Sequence, residues 1–103
     1  MQPILILWAC KERREAEEIV KALLERRLIA CASIIPAVHS IFRWKGKIEQ
    51  AEECKVFLKT VLSHFLAVQD YIRAHCSYEV PEILQLSIEQ GNPDYLVWLQ
   101  DES

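Results

Sequence analysis

Glycine is nearly missing from this chain: 103 residues hold two, Gly46 and Gly91. A loop that cradles phosphate with successive backbone N–H groups needs several close together, so a Gly-rich nucleotide site is excluded. The four cysteines, Cys10, Cys31, Cys54 and Cys76, are scattered with no Cys-x-x-Cys spacing. That removes a disulfide framework and a structural zinc cage. Positive charge is also short: 12 Lys and Arg stand against 15 Asp and Glu, a net charge of −3, which argues against a general nucleic-acid binder. The longest largely apolar run, Leu28 to Val38, is interrupted by Ser33 and Pro36 and is too short to span a bilayer. Met1-Gln2-Pro3 lacks the basic opening of a secretory signal, and Lys11, Glu12 and Arg13 arrive early. The expected location is therefore the cytoplasm, with no membrane and no nucleic-acid partner. No nucleophile-and-base motif and no His-Glu-x-x-His pattern occurs, so an enzyme is not expected.

What is present is a strong alternation of periods. Ile4 to Trp8 is a continuous apolar run and reads as a strand buried on both faces. Ala16, Ile19, Val20, Leu23, Leu24 and Arg27 then fall on one helical stripe. From Leu28 the period becomes two, with Leu28, Ala30, Ala32, Ile34, Val38, Phe42 and Trp44 on one parity. Pro36 cannot donate to a ladder and should mark a bulge, a bend or an edge. Past a turn at Gly46, Ile48, Cys54, Val56 and Leu58 share a face. Keeping the apolar parities together favours a three-residue loop, Lys45 to Lys47, with Trp44 against Ile48, Val38 against Cys54, Ile35 against Phe57, Arg43 against Glu49 and His39 against Glu53. A two-residue loop would instead set Phe42 against Glu49 and Trp44 against Lys47.

Ser63 is suited to cap a second helix, with Phe65, Val68, Tyr71, Ile72 and His75 on its stripe. Ser77 to Glu82 is a loop held by Pro81. Leu84, Leu86 and Ile88 alternate as a last strand, and Asn92 with Pro93 starts a short final helix carrying Tyr95, Leu96, Trp98 and Leu99. The expected fold is one α+β domain over residues 1–103, a ferredoxin-like βαββαβ antiparallel sheet with a long central hairpin and a short C-terminal helix.

The hairpin is far longer than the ~5–6 residues usual for a strand, and two short helices cannot cover it. Its far end, around Phe42, Trp44 and Ile48, would be an apolar unpaired edge unless another subunit pairs along it. Trp98 is expected in the core or at such an interface.

The run Ser40-Ile41-Phe42-Arg43-Trp44-Lys45-Gly46-Lys47, the segment Leu58-Lys59-Thr60, the loop Tyr78-Glu79-Val80-Pro81-Glu82 and the ending Gly91-Asn92 through Tyr95-Leu96-Val97-Trp98-Leu99 resemble the CutA divalent-ion-tolerance family over almost the whole chain. The resemblance implies a small cytoplasmic homotrimer, linked to tolerance of copper or another divalent metal ion, with no organic cofactor. The family pattern His-Pro-Tyr-Glu-Val-Pro-Glu falls here on Cys76, Ser77 and Tyr78 to Glu82, and the family glutamate before the Lys-Thr run falls on Glu53. Where some members place an early cysteine this chain has Trp8, with Cys10 two residues later.

A soft site of Cys76, His75 and Glu53 is one implied reading. The plainer one leaves His75 as a helix-end histidine suited to the dipole, and His39 as a cross-strand partner of Glu53. Lys59, Tyr78, Glu79 and Glu82 are placed to line a polar cleft between subunits.

Other holders of this topology fit less well. Glu53 to Lys59 lacks the aromatic box of RNA-recognition domains, and Ala9-Cys10-Lys11-Glu12 has no match to the acylphosphatase anion loop. The PII-type signalling trimers need a long mobile loop where this chain has a tight turn. A signalling or anchoring trimer with an unidentified protein partner and no physiological metal stays open beside the metal reading.

Overall fold

The computed structural model describes residues 1–103. In chain order it holds β1 (Pro3–Cys10), α1 (Arg13–Glu25), β2 (Cys31–Trp44), β3 (Lys47–Val61), α2 (Phe65–His75), β4 (Ile83–Ser87) and α3 (Pro93–Glu102). A single 3₁₀ turn, Leu62–His64, leads into α2. The four strands form one antiparallel sheet in the order β2-β3-β1-β4, the α+β, ferredoxin-like arrangement that the sequence pattern predicts.

The core forms where two periods meet. Ile4, Ile6, Trp8 and Cys10 of β1 and Cys54, Val56 and Leu58 of β3 point to one side, and Ala16, Ile19, Val20, Leu23, Val68 and Ile72 of the two helices close over them. Full burial of side chains of this size contributes ~1.5–3 kcal/mol each. Helix α1 ends in a Schellman motif: Leu28 N–H bonds Leu23 O and Arg27 N–H bonds Leu24 O, both at 3.0 Å. Arg27 takes the left-handed position at φ 56, where glycine is usual, and its guanidinium donates to Asp101 O at 2.9 Å, tying α1 to α3. The predicted stripe thus overran the helix, since Arg27 lies past its end. Ser63 does not cap α2 either; it sits within the 3₁₀ turn, and His64 is the capping position without a side-chain bond. At α3 the expected cap holds, with Asn92 Oδ1 accepting from Asp94 N at 3.2 Å.

The second sheet face carries neither α1 nor α2; α3 packs against β3 and β1 apart from the core of those two helices, with Leu99 and Val61 buried. Reading across the register, Leu5, Leu7, Phe57, Leu84 and Leu86 lie on it with Ile35, Lys55, Lys59, Cys31 and Ser33. Leu5 and Leu7 are half-buried, and Leu84 and Leu86 are exposed, so β1 is fully buried on one face only.

The hairpin corrects the predicted register. The loop has two residues, and Trp44 pairs with Lys47, Phe42 with Glu49, Arg43 with Ile48 and His39 with Glu52. Lys45 at φ 50 and Gly46 at φ 81 are both left-handed, as a type I′ turn requires; that turn's twist matches the right-handed twist of its strands. The parity argument failed because of the bulge at Pro36. Between the pairs Ile35↔Lys55 and Val38↔Glu53, Pro36 and Ala37 oppose Cys54 alone, and Ala37 has φ 60. The extra residue exchanges the faces of β2. Beyond it Phe42 and Trp44 belong to the face away from α1 and α2, and Ile48 lies on the opposite one with Arg43. The expected pairs Trp44 with Ile48, Val38 with Cys54, Ile35 with Phe57, Arg43 with Glu49 and His39 with Glu53 do not form.

From Val38 and Glu53 outward the hairpin is a two-stranded ribbon, because β1 pairs with β3 only from Cys54 to Val61. The ribbon stretches the molecule to 44 × 26 × 22 Å. No helix is long and apolar enough to cross a membrane.

Candidate functional site

The loop after α2 joins two side-chain networks at the end of β1. On the face away from α1 and α2, Ala9 stands between Lys55 and Glu82: it pairs with Lys55 in register, and its N–H donates to Glu82 O at 3.1 Å. Its methyl group leaves room for Lys55 Nζ to meet both Glu82 carboxylate oxygens, at 2.9 and 3.1 Å. Lys55 also lies 3.9 Å from Glu53 Oε1. Tyr78 donates its hydroxyl to the other Glu53 oxygen at 2.7 Å. Glu53 is 8% exposed, and a carboxylate so buried requires partners of this kind. Burial, then the Glu53 hydrogen bond, pushes the Tyr78 hydroxyl well above its ordinary value.

On the helix side, Glu15 Oε2 accepts from both Cys10 Sγ and Ser77 Oγ at 3.2 Å. Burial and then that bond push the Cys10 thiol up to about 12. Burial likewise raises the Cys76 and Cys54 thiols. Cys76 caps α2, its sulfur 3.7 Å from Tyr78 O.

The residues singled out from the sequence are brought together only in part. Glu53, Tyr78 and Glu82 meet through Lys55, which sequence reasoning passed over. Its signal was its place two residues from Glu53 on one strand face, but Glu82 across Ala9 could not be seen. Lys59 lies elsewhere on the same sheet face, its ammonium 3.4 Å from Cys31 Sγ. Glu79 turns away to line a hollow with Asp70, Arg73, Ala74 and Pro81. His75 stacks on Tyr71, ring centroids 3.9 Å apart, with Nδ1 2.8 Å from Tyr71 O. It opens into a cavity of about 480 Å³ between α1 and α2, lined also by Glu12, Arg14, Glu15 and Glu18. His39 bonds Gln50 at 2.8 Å rather than Glu53.

No three His, Cys, Asp or Glu side chains of the chain converge where they could hold a metal ion. Cys76, His75 and Glu53 therefore do not fit a divalent cation within one chain: Glu53 is taken by Tyr78 and Lys55, and His75 is engaged with Tyr71. Trp8 is fully buried in the core, its Nε1 without an acceptor.

At the ribbon tip Phe42 is 41%, Trp44 39% and Ile48 70% exposed. Trp98 is also exposed, tilted against Tyr95 at 5.4 Å between ring centroids, while Leu99 makes the buried contact of α3.

A four-stranded antiparallel sheet with α1 and α2 on one face, a bulged hairpin and a Tyr-Glu-Val-Pro-Glu loop locked to Glu53 defines a narrow class. Residues 4–102 match the model of the CutA1 divalent ion tolerance protein family. The CutA homolog of Xenopus laevis is 44% identical over 92 residues, covering 89% of this chain and 61% of its own length. The divalent cation tolerance protein from Thermus thermophilus superposes with a TM-score of 0.95 at 36% identity, over 98% of both chains. A structure described as the periplasmic divalent cation tolerance protein CutA from Archaeoglobus fulgidus gives 0.93 at 38% identity, over 97% of both chains. The chain spans about half to three-fifths of the length of its vertebrate relatives. It belongs to the CutA1 divalent ion tolerance family.

Proposed function

We propose that this protein acts as a cytoplasmic homotrimer in tolerance of divalent metal ions, copper among them, binding the ions weakly or in a regulatory way and catalysing no reaction. The observation that carries the assembly is the apolar part of the sheet face away from α1 and α2. Leu5, Leu7, Phe57, Leu84 and Leu86 form an apolar surface that continues toward Phe42 and Trp44 on the ribbon, and a face of this kind is stable in water when covered. Sheets that meet through these faces and ribbons would bury both and bring Cys76, His75 and the Glu53 network of one copy close to groups of the next. The metal role rests on the family names of the relatives.

Sedimentation analysis tests the assembly: a trimer for the natural chain and a monomer for Leu84→Glu are expected, and a monomeric natural chain would sink it. Calorimetric titration with Cu²⁺ and Zn²⁺ tests the metal role, with weaker binding expected in Cys76→Ser and Glu53→Gln. A second reading, a signalling or anchoring trimer without physiological metal, is favoured by one observation: the polar groups of the loop are engaged by one another. A trimer that gives no heat with either ion would support it.

A further inference from the structure

The segment between α2 and β4 is joined to the rest of the chain almost wholly by side chains. Residues 77–81 make no hydrogen bond from main chain to main chain. The last such bonds on either side are Cys76 N–H to Ile72 O at 2.8 Å and Ala9 N–H to Glu82 O at 3.1 Å. Between those ends, three side-chain ties reach the body of the molecule. Ser77 Oγ donates to Glu15 of α1 at 3.2 Å, Tyr78 Oη donates to Glu53 of β3 at 2.7 Å, and Glu82 accepts from Lys55 of β3 at 2.9 and 3.1 Å. Each tie depends on a carboxylate.

Little else holds the segment down. Its middle stands beside α2 at a hollow of about 380 Å³ lined by Asp70, Arg73, Ala74, Glu79 and Pro81, and Val80 is exposed. Pro81 fixes its own φ and restrains Val80 to extended backbone, so the segment has few joints of its own and moves about its ends. In the closed position Tyr78 and Lys55 take up the buried Glu53 carboxylate, and Lys55 takes up Glu82 as well. No three donors are left converging on a metal ion.

We propose that residues 77–82 form an autoinhibitory strap. It opens as one unit about Cys76 and the start of β4, breaking the three side-chain ties and the Ala9 bond together. While closed, it withholds Glu53 and Glu82 from divalent cations. The withholding rests on the divalent-ion reading; the opening does not. A ligand that binds only a minor form has its affinity reduced by the fraction of that form. Cutting a tie therefore raises the open fraction and the apparent affinity by the same factor.

Site-resolved hydrogen exchange at Ala9 reads the opening. In the natural chain Ala9 should exchange faster than Ile6, which lies in the core part of the same strand. Tyr78→Phe should speed Ala9 about tenfold to a hundredfold, as for a lost hydrogen bond to a charged group. Ser77→Ala should speed it about twofold or more, although Ser77 stands at the far end of the strap. The ribbon amides should keep their rates in both variants. Ala9 as protected as Ile6, or Ala9 unmoved by either substitution, would overturn the strap. Calorimetric titration with Zn²⁺ reads the withholding: Tyr78→Phe should bind tighter than the natural chain by the factor seen at Ala9. Equal affinities would overturn the autoinhibition. If neither chain gives heat, the divalent-ion reading fails and the withholding with it, whereas the opening stands or falls on Ala9 alone.

Discussion

β3 crosses two environments within one strand. From Cys54 to Val61 it is flanked by β1 and β2, and its even residues lie under two helices; from Lys47 to Glu53 its only partner is β2, with no helix over it. The composition shifts at the boundary, from four charged residues and one large apolar one, Ile48, in Lys47 to Glu53, to two lysines and four large apolar residues in Cys54 to Val61. The cover changes too. One face of the near half is buried under helices of its own chain, whereas the far half has no helix on either face. The same residue type should therefore be worth very different amounts on the two sides of Glu53.

The largest expected effect breaks the near half. Leu58→Ala should destabilise the chain by ~2–5 kcal/mol in urea unfolding, while Ile48→Ala on the ribbon, measured in the same way, should stay within ~0.5 kcal/mol. Equal losses would mean that the ribbon belongs to the cooperative core and that the contrast is wrong. The boundary itself comes next. Tyr78→Phe removes the hydroxyl that satisfies buried Glu53 and should cost ~1.5–3 kcal/mol, as for hydrogen bonds to charged groups. A loss below about 0.5 kcal/mol would show that water replaces it.

High pH offers a third test of the near half. A thiol ordinarily ionises near 9.0, and Cys10 is held to about 12 by burial and by Glu15. The folded-state value is raised, so the stabilisation is complete below pH 9 and is lost as pH climbs through 9 to about 12, where the unfolded chain sheds a proton that the folded chain keeps. Tyr78 acts in the same direction from pH 10 upward, because burial and Glu53 raise it too. Cys10→Ala should therefore flatten, without abolishing, the fall of thermal stability over that window. An unchanged slope would remove Cys10 from the account.

The near half was also the more legible half in the sequence. Ile4 to Trp8, the Ala16 to Leu23 stripe and Cys54 to Leu58 carry clean periods, because each buries one side against a partner within the chain. The ribbon misled for a local reason. Pro36 was visible as an interruption, but one extra residue exchanges every face beyond it, and parity counted straight through the bulge then picked the wrong loop. The site was legible only in its ends. Glu53, Tyr78 and Glu82 are marked by the family motif, whereas Lys55 is recruited by the smallness of Ala9 on another strand, and no spacing along the chain encodes that meeting.

The smallest effect sharpens the contrast at the ribbon's tip. Lys45 holds a left-handed conformation at φ 50, which costs a residue with a Cβ ~1–2 kcal/mol, and Asn before Gly is the preferred pair for a type I′ turn. Lys45→Asn should relieve much of that strain, but it also removes the ammonium lying 5.7 Å from the Trp44 ring centroid, an exposed contact worth ~0.5–1 kcal/mol. The net gain should be a few tenths of a kcal/mol, confined to the ribbon. Urea unfolding of the whole chain should scarcely register it, whereas hydrogen exchange at the ribbon amides should slow by up to about twofold. Should the global midpoint move as much as the local exchange rate, the tip would be coupled to the core through β3, and the boundary at Glu53 would be one of burial without being one of cooperativity.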